Sequence, residues 1–200
     1  MKLKWLEMEL ENIIKFQNPK VNFEQYQTPT NIASLICYIA YMDGNIFGKN
    51  VLDLGCGTGI LSIGSSILGA KNIIGIDIDI NAINIAYKNS HNLKQKINFF
   101  CMNVKDINKS MFNNIDTVIM NPPFGSQRKG ADRPFLKKAL EIGNVIYTIH
   151  NKGSYNFIKK FIEPSKIIFS YKSKLIINKT FFFHNKNKKE IDIEIYKIIK

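Results

Sequence analysis

The chain has 200 residues, 45% of them hydrophobic, and a mean hydropathy of -0.11, which fits one globular domain able to bury a core and excludes a disordered chain. Cys37, Cys56 and Cys101 are an odd number and widely spaced, and His91, His150 and His184 lack ligand spacing, which excludes a disulfide framework and a zinc site. Twenty-eight Lys and Arg against sixteen Asp and Glu give a net charge of +12, which calls for a polyanionic partner, although a coding bias toward Lys, Asn and Ile would raise the same number.

From Lys2 to Phe16, Leu3, Leu6, Leu10, Ile13 and Ile14 recur at helical spacing, predicting an amphipathic opening helix that Asn18-Pro19 ends. Its acids and the lack of a signal-peptide core point to a cytoplasmic protein, and no apolar run is long enough for a bilayer span. Thr28-Pro29 supplies a cap and a helix-start proline for a second helix from Thr30 to Met42.

The chain then alternates. Strands are predicted at Asn50 to Leu54, Asn72 to Asp77, Ile97 to Met102, Thr117 to Met120 and Val145 to Ile149. Helices are predicted at Ile60 to Leu68, Ile80 to Asn89, Pro134 to Gly143 (capped by Asp132) and Tyr155 to Phe161. Two further strands, Ile167 to Ile177 and Glu190 to Tyr196, close the chain. Such a pattern predicts an α/β fold: a seven-stranded, doubly wound, mostly parallel Rossmann-like sheet ending in an antiparallel hairpin. Residues 1–200 read as a single domain with an N-terminal helical extension over about residues 1–45.

Two motifs carry chemistry. Asp53-Leu54-Gly55-Cys56-Gly57-Thr58-Gly59 follows the first strand and opens a helix, where glycines admit a ligand close to the backbone. Its G-x-G-x-G spacing differs from the G-x-G-x-x-G pyrophosphate fingerprint and suits a ligand without a diphosphate, such as S-adenosylmethionine. Asp77, ending the next strand, is placed to accept from ribose hydroxyls, and Asp79 to cap the following helix. The second motif is Asn121-Pro122-Pro123-Phe124, directly after the fourth strand. Two prolines stiffen this turn, so that the Asn121 side-chain oxygen and the Pro122 carbonyl would accept both hydrogens of a planar amino group. Phe124 would stack on the ring that carries it.

In this combination the chain resembles class I S-adenosylmethionine-dependent methyltransferases acting on nitrogen. Glu24-Gln25-Tyr26-Gln27-Thr28-Pro29, Leu61-Ser62-Ile63-Gly64, Gly75-Ile76-Asp77-Ile78-Asp79, Asn121-Pro122-Pro123-Phe124-Gly125, Gly130-x-Asp132, Phe135-Leu136-Lys137-x-Ala139-Leu140-Glu141 and Phe183-His184 fall in the order of one narrower family. It is similar to the methyltransferase-like protein five family of eukaryotes and archaea, which makes N6-methyladenosine in small-subunit ribosomal RNA. The resemblance runs from about Phe23 to Tyr196 and implies S-adenosyl-L-methionine as cofactor.

It also implies roles for individual residues. Gln25, Tyr26 and Thr28 would close over the methionine end of the cofactor, Asp53, Gly55 and Gly57 would hold its carboxypropyl-amino portion, and Asp77 its ribose. Asn103 departs from the Asp usual after strand three; its oxygen can still accept from the adenine amino group, with weaker affinity expected, and Asp106 is a less apt substitute. Asn121, Pro122, Pro123 and Phe124 would hold the acceptor. A small zinc-binding activator protein is implied as partner, pairing with the edge strand at residues 97–102.

An adenosine in structured RNA must leave its stack to reach such a turn. Arg128 and Lys129, in the adjoining loop, are candidate phosphate contacts. Phe183, His184, Lys186, Lys188 and Lys189 place aromatics beside cations, a pattern that suits single-stranded RNA, or else a hairpin with core Phe residues and a solvated tip.

Three other functions share the fold. Protein glutamine methylation uses a similar turn, usually with Tyr in fourth place and an added N-terminal domain. DNA adenine methylation normally brings a recognition domain for which this chain has no room. A non-catalytic RNA-binding protein is favoured only by Asn103, and is opposed by the intact Asp53, Gly55, Gly57, Asp77 and Asn121 set.

Overall fold

The computed structural model describes residues 2–112, 114–178 and 188–200. The helices are α1 (Leu3–Leu10), α2 (Thr30–Met42), α3 (Ile60–Ile67), α4 (Ile80–Asn92), α5 (Arg133–Ile142) and α6 (Tyr155–Phe161). The strands are β1 (Asn50–Leu54), β2 (Asn72–Asp77), β3 (Asn98–Cys101), β4 (Thr117–Met120), β5 (Val145–Asn151), β6 (Lys166–Asn178) and β7 (Lys188–Ile199).

They form one seven-stranded sheet in the order β3-β2-β1-β4-β5-β7-β6. The first five strands run parallel, and β7 pairs antiparallel with both β5 and β6. The fold is therefore the Rossmann-like, doubly wound one that the sequence predicts. Successive residues of a strand face opposite layers, so a strand covered by helices on both sides must be apolar at every position. Accordingly Val51, Ile119 and Tyr147 join the core under α1, α2 and α3, while their neighbours Leu52, Val118 and Ile146 join the core under α5 and α6.

The opening helix is shorter than expected. Leu6 and Leu10 are fully buried, each worth about 1.5–3 kcal/mol, and this packing holds an eight-residue helix that would not persist alone. Beyond Leu10 the chain leaves the helix and becomes a strap. The Ile14 N–H donates to Asn89 Oδ1 at 2.8 Å, and the Ile14 carbonyl accepts from Asn89 Nδ2 at 3.0 Å. One side-chain amide on α4 thus takes both backbone groups that a helical turn would have paired. Two expected caps also differ. Thr28 does not cap α2, because its hydroxyl is engaged elsewhere and Pro29 stands at the cap position. Asp132 makes no capping hydrogen bond to α5, and its carboxylate lies 3.6 Å from His150 Nδ1.

Two features position the functional end. The direction of strand order reverses between β1 and β4, so the turns after these strands flank the crevice where such sheets bind ligands. The β6–β7 hairpin outruns the sheet at that same end: β7 parts from β5 at Ile193 opposite Asn151, whereas β6 and β7 pair on to Asn178 opposite Lys188. Residues 188–192 carry it roughly 16 Å further. At the opposite edge lies β3. Phe99 turns inward, where Gly75 of β2 leaves space that a Cβ would fill to 2.5 Å from the ring, and Phe100 remains 48% exposed.

Candidate active site

A cavity of about 420 Å³ opens at the carboxyl ends of β1, β2 and β4, within the range of cofactor sites. Its walls come from the glycine turn (Gly55 to Thr58), from Asp77 and Ile78, from Met102 to Lys105, from Asn121 and Pro123, and from the strap. Phe135 and Arg133 of α5 and the loop residues Arg128 to Ala131 close the remaining side.

Glycine is required in the first wall for two reasons. Gly57 has φ +54, and a Cβ there would stand 2.9 Å from the Phe16 ring. The turn is braced by carboxylates. The Gly57 N–H donates to Asp77 Oδ2 at 2.8 Å, and the Asp79 N–H donates to Asp77 Oδ1 at 2.9 Å. Each Asp77 oxygen keeps capacity for another donor. Asp53 lies behind the turn and is fully buried. Its Oδ2 accepts from the Ser62 N–H and hydroxyl at 2.9 and 2.6 Å, while Oδ1 has no partner among the described residues. Burial pushes the Asp53 carboxyl up to about 7, against the pull of the Ser62 hydrogen bonds. Asp77 is raised too, chiefly by burial.

The strap spans the cavity and ties its turns together. Lys20 Nζ contacts Asp79 Oδ1 at 2.8 Å, and Gln25 Nε2 donates to Asp79 Oδ2 at 2.9 Å. Gln25 Oε1 also accepts from the Lys20 N–H, so the Gln25 amide is engaged at both ends within the protein. The Thr58 hydroxyl donates to Gln27 Oε1 at 2.7 Å. As expected, Asp79 also caps α4, accepting from the Asn81 N–H.

At the far wall the strap meets the acceptor turn. The Tyr26 hydroxyl donates to Asn121 Oδ1 at 3.2 Å, and Asn121 Nδ2 donates to the Thr28 hydroxyl at 2.9 Å. These two contacts define which way the amide faces and hold its oxygen at the cavity wall. Burial raises the Tyr26 phenol well above its usual range, so it stays a neutral donor. Pro122 is buried, and its carbonyl takes no hydrogen bond among the described residues. Phe124 is half-buried and rests on the Tyr26 ring, centroids 5.7 Å apart, rather than on the cavity wall.

The structure thus gathers Gln25, Tyr26, Thr28, Gly55, Gly57, Asp77, Asn103, Asn121, Pro123, Arg128 and Lys129 around one cavity. Asp53, Pro122 and Phe124 stand behind that wall. Asn103 Oδ1 accepts from the Lys105 N–H at 3.0 Å, so an adenine amino group would share that oxygen, and Asp106 lies outside the lining. Phe183, His184 and Lys186 fall outside the described residues, and Lys188 and Lys189 are described only by their backbone pairing in β7. Phe16, Gln27, Thr58, Asn89 and Lys105 were not singled out from sequence. Only tertiary contact marks the first four, whereas Lys105 follows the strand-three end that Asn103 already marked.

A family model for ribosomal protein L11 methyltransferase (PrmA) matches residues 27–122, ending inside the acceptor turn. An uncharacterised protein of Methanocaldococcus jannaschii is 43% identical over 210 residues, spanning 100% of this chain and 95% of that one. The zebrafish rRNA N6-adenosine-methyltransferase METTL5 is 34% identical over 199 residues, spanning 98% of this chain and 96% of its own. A crystal structure from Pyrococcus horikoshii, provisionally described as an RNA methyltransferase, superposes with a TM-score of 0.92 at 43% identity, covering 100% and 98% of the two chains.

Proposed function

Because the chain belongs to the METTL5 family of methyltransferases, we propose that it methylates the N6 amino group of an adenosine in structured RNA, with small-subunit ribosomal RNA as substrate. The observation that carries this reading is the Asn121 amide, fixed by Tyr26 and Thr28 at the cavity wall and adjoined by Arg128 and Lys129.

The cofactor is S-adenosylmethionine, and the residues present fit it. Asp53 Oδ1 is an orphaned acid oxygen behind the glycine turn, suited to an ammonium group. Asp77 retains acceptor capacity for ribose hydroxyls. When bound, the cofactor supplies an electrophilic sulfonium methyl.

The protein's part is to present the amine. An adenine amino nitrogen is a poor nucleophile, because its lone pair is delocalised into the ring. Asn121 Oδ1 and the Pro122 carbonyl accept its two hydrogens and turn the lone pair toward the cavity, an alignment worth several kcal/mol. The same neutral oxygens stabilise positive charge as it develops on nitrogen. No general base is needed, since a methylated ammonium loses its proton readily to water. Phe124, packed on Tyr26 behind the wall, braces the turn that receives the extruded base. Arg128 and Lys129 contact phosphates, and the β6–β7 hairpin extends the RNA surface at the same end of the sheet. A small zinc-binding activator protein adds a strand along β3, whose open edge and exposed Phe100 support that placement.

The match to the L11 methyltransferase model favours a second reading, a protein acceptor. That match covers the cofactor half and stops inside the acceptor turn, before Pro123, Phe124 and the loop of residues 125–130. Transfer of labelled methyl to small-subunit RNA, large-subunit RNA, genomic DNA and ribosomal protein, compared side by side, tests the assignment. Label confined to small-subunit RNA supports it, and label in protein or DNA replaces it.

A further inference from the structure

Directly after the acceptor turn, the chain makes a tight loop held at its ends by two glycines. Gly125 has φ +80 and Gly130 φ +76, and the Ala131 N–H closes the loop on the Arg128 carbonyl at 3.0 Å. Four exposed side chains, Ser126, Gln127, Arg128 and Lys129, lie between. A loop of this length with glycine at both ends has little stiffness of its own.

What fixes it comes from a residue 101 positions before the first glycine. Glu24 Oε2 accepts from the Gly125 N–H at 3.1 Å, and Oε1 accepts from the Gln127 N–H at 2.9 Å. Glu24 itself is half-buried and left-handed (φ +51), and its own N–H is bonded to the Val21 carbonyl at 2.8 Å. That strained backbone aims the carboxylate at the loop. An acid beside a surface meant for phosphates would repel them if its oxygens were free. Here each oxygen accepts from a backbone N–H of the loop, which turns the carboxylate toward the loop's own backbone and orders the two cations that follow.

We propose that Glu24 is a positioning residue for RNA recognition: it holds the loop of residues 125–130 so that Arg128 and Lys129 meet the phosphates flanking the target adenosine. The inference rests on the RNA reading above. Its chemistry needs a carboxylate, because both loop contacts are donors. In Glu24→Gln the side chain keeps its shape and backbone strain, but one oxygen becomes an NH2 group that faces an N–H.

The test compares wild type and Glu24→Gln by steady-state methyl transfer to small-subunit RNA, with cofactor Kd, Tm and amide hydrogen exchange recorded alongside. The expected result is a KM for RNA raised about tenfold, kcat within about threefold, cofactor Kd within about twofold, and faster exchange at the Gly125 and Gln127 amides. In an Arg128→Ala, Lys129→Ala background the KM effect of Glu24→Gln shrinks toward none, because the loop then has no cations to position. An unchanged KM in an active wild-type background overturns the inference, as does a KM effect that persists in full without Arg128 and Lys129. A lowered Tm with unchanged KM reduces Glu24 to a fold-stabilising contact and also overturns it. Wild-type enzyme that methylates protein or DNA instead of RNA overturns the functional reading; unaltered loop exchange in Glu24→Gln overturns the positioning role whatever the acceptor.

Discussion

The Tyr26 hydroxyl and Asn121 Oδ1, ninety-five residues apart in sequence, stand 3.2 Å from each other at the wall of the cavity. The donor leaves one lone pair of Asn121 Oδ1 for the acceptor amine and fixes where that lone pair points. Tyr26→Phe keeps the ring on Phe124 and removes only this constraint. The expected outcome is a fall in kcat of about tenfold to a hundredfold with cofactor affinity within about threefold, measured by single-turnover methyl transfer and calorimetric titration.

Asp53 makes cofactor binding pH-dependent. Its carboxyl, raised to about 7 by burial, must be ionised to receive an ammonium group. Affinity is expected to rise from pH 6 toward pH 7.5, and Asp53→Asn to weaken binding by about thirtyfold or more while flattening that rise. Cofactor-free protein shows the opposite face of the same linkage. A folded-state value above the ordinary 3.8 contributes stability at low pH that is lost as pH rises through about 7. The Tm difference between wild type and Asp53→Asn across that window checks the sign.

His150 acts in the other direction. It is buried, its Nε2 lies 2.9 Å from the Thr148 hydroxyl, and burial lowers it to about 3. A depressed histidine is neutral in the folded protein and charged in the unfolded chain, so stability is lost as pH falls below about 6.5. Relative to wild type, His150→Gln is expected to lose less Tm between pH 7 and pH 5, read by thermal melts at fixed ionic strength.

Gly57 cannot carry a side chain without moving the strap. Gly57→Ala meets both the positive φ and the Phe16 ring, and about 1–3 kcal/mol of stability should be lost along with cofactor affinity. Adding Phe16→Ala relieves the collision but not the backbone strain, so partial recovery of binding is expected in the double variant.

Much of the framework was legible because its signals are local. β1, β2, β4, α2 and α6 follow the sequence-predicted spans, as period-two or helical apolar runs bounded by Gly, Pro and Asp dictate. The glycine turn, Asp77 and Asn121 declare themselves by position after a strand. The strap does not. Residues 13–16 continue a helical pattern, and nothing local reveals that Asn89 will claim the Ile14 backbone or that Phe16 will lie on Gly57. Thr28 was misassigned for a related reason. A Thr before Pro has the form of a cap, but its hydroxyl is engaged by Asn121 from ninety-three residues away. Gln25 lines the cavity, and nothing local in the sequence reveals that its amide also bonds to Asp79 and Lys20.

The measurement that bears most directly on the central claim is nucleoside analysis of small-subunit RNA after incubation with the protein and S-adenosylmethionine carrying a deuterated methyl group. Wild type is set against Asn121→Ala at equal cofactor occupancy. The account predicts deuterated N6-methyladenosine with wild type and none with Asn121→Ala. Methyl appearing on another nucleoside, or equal N6-methyladenosine from both proteins, would contradict it.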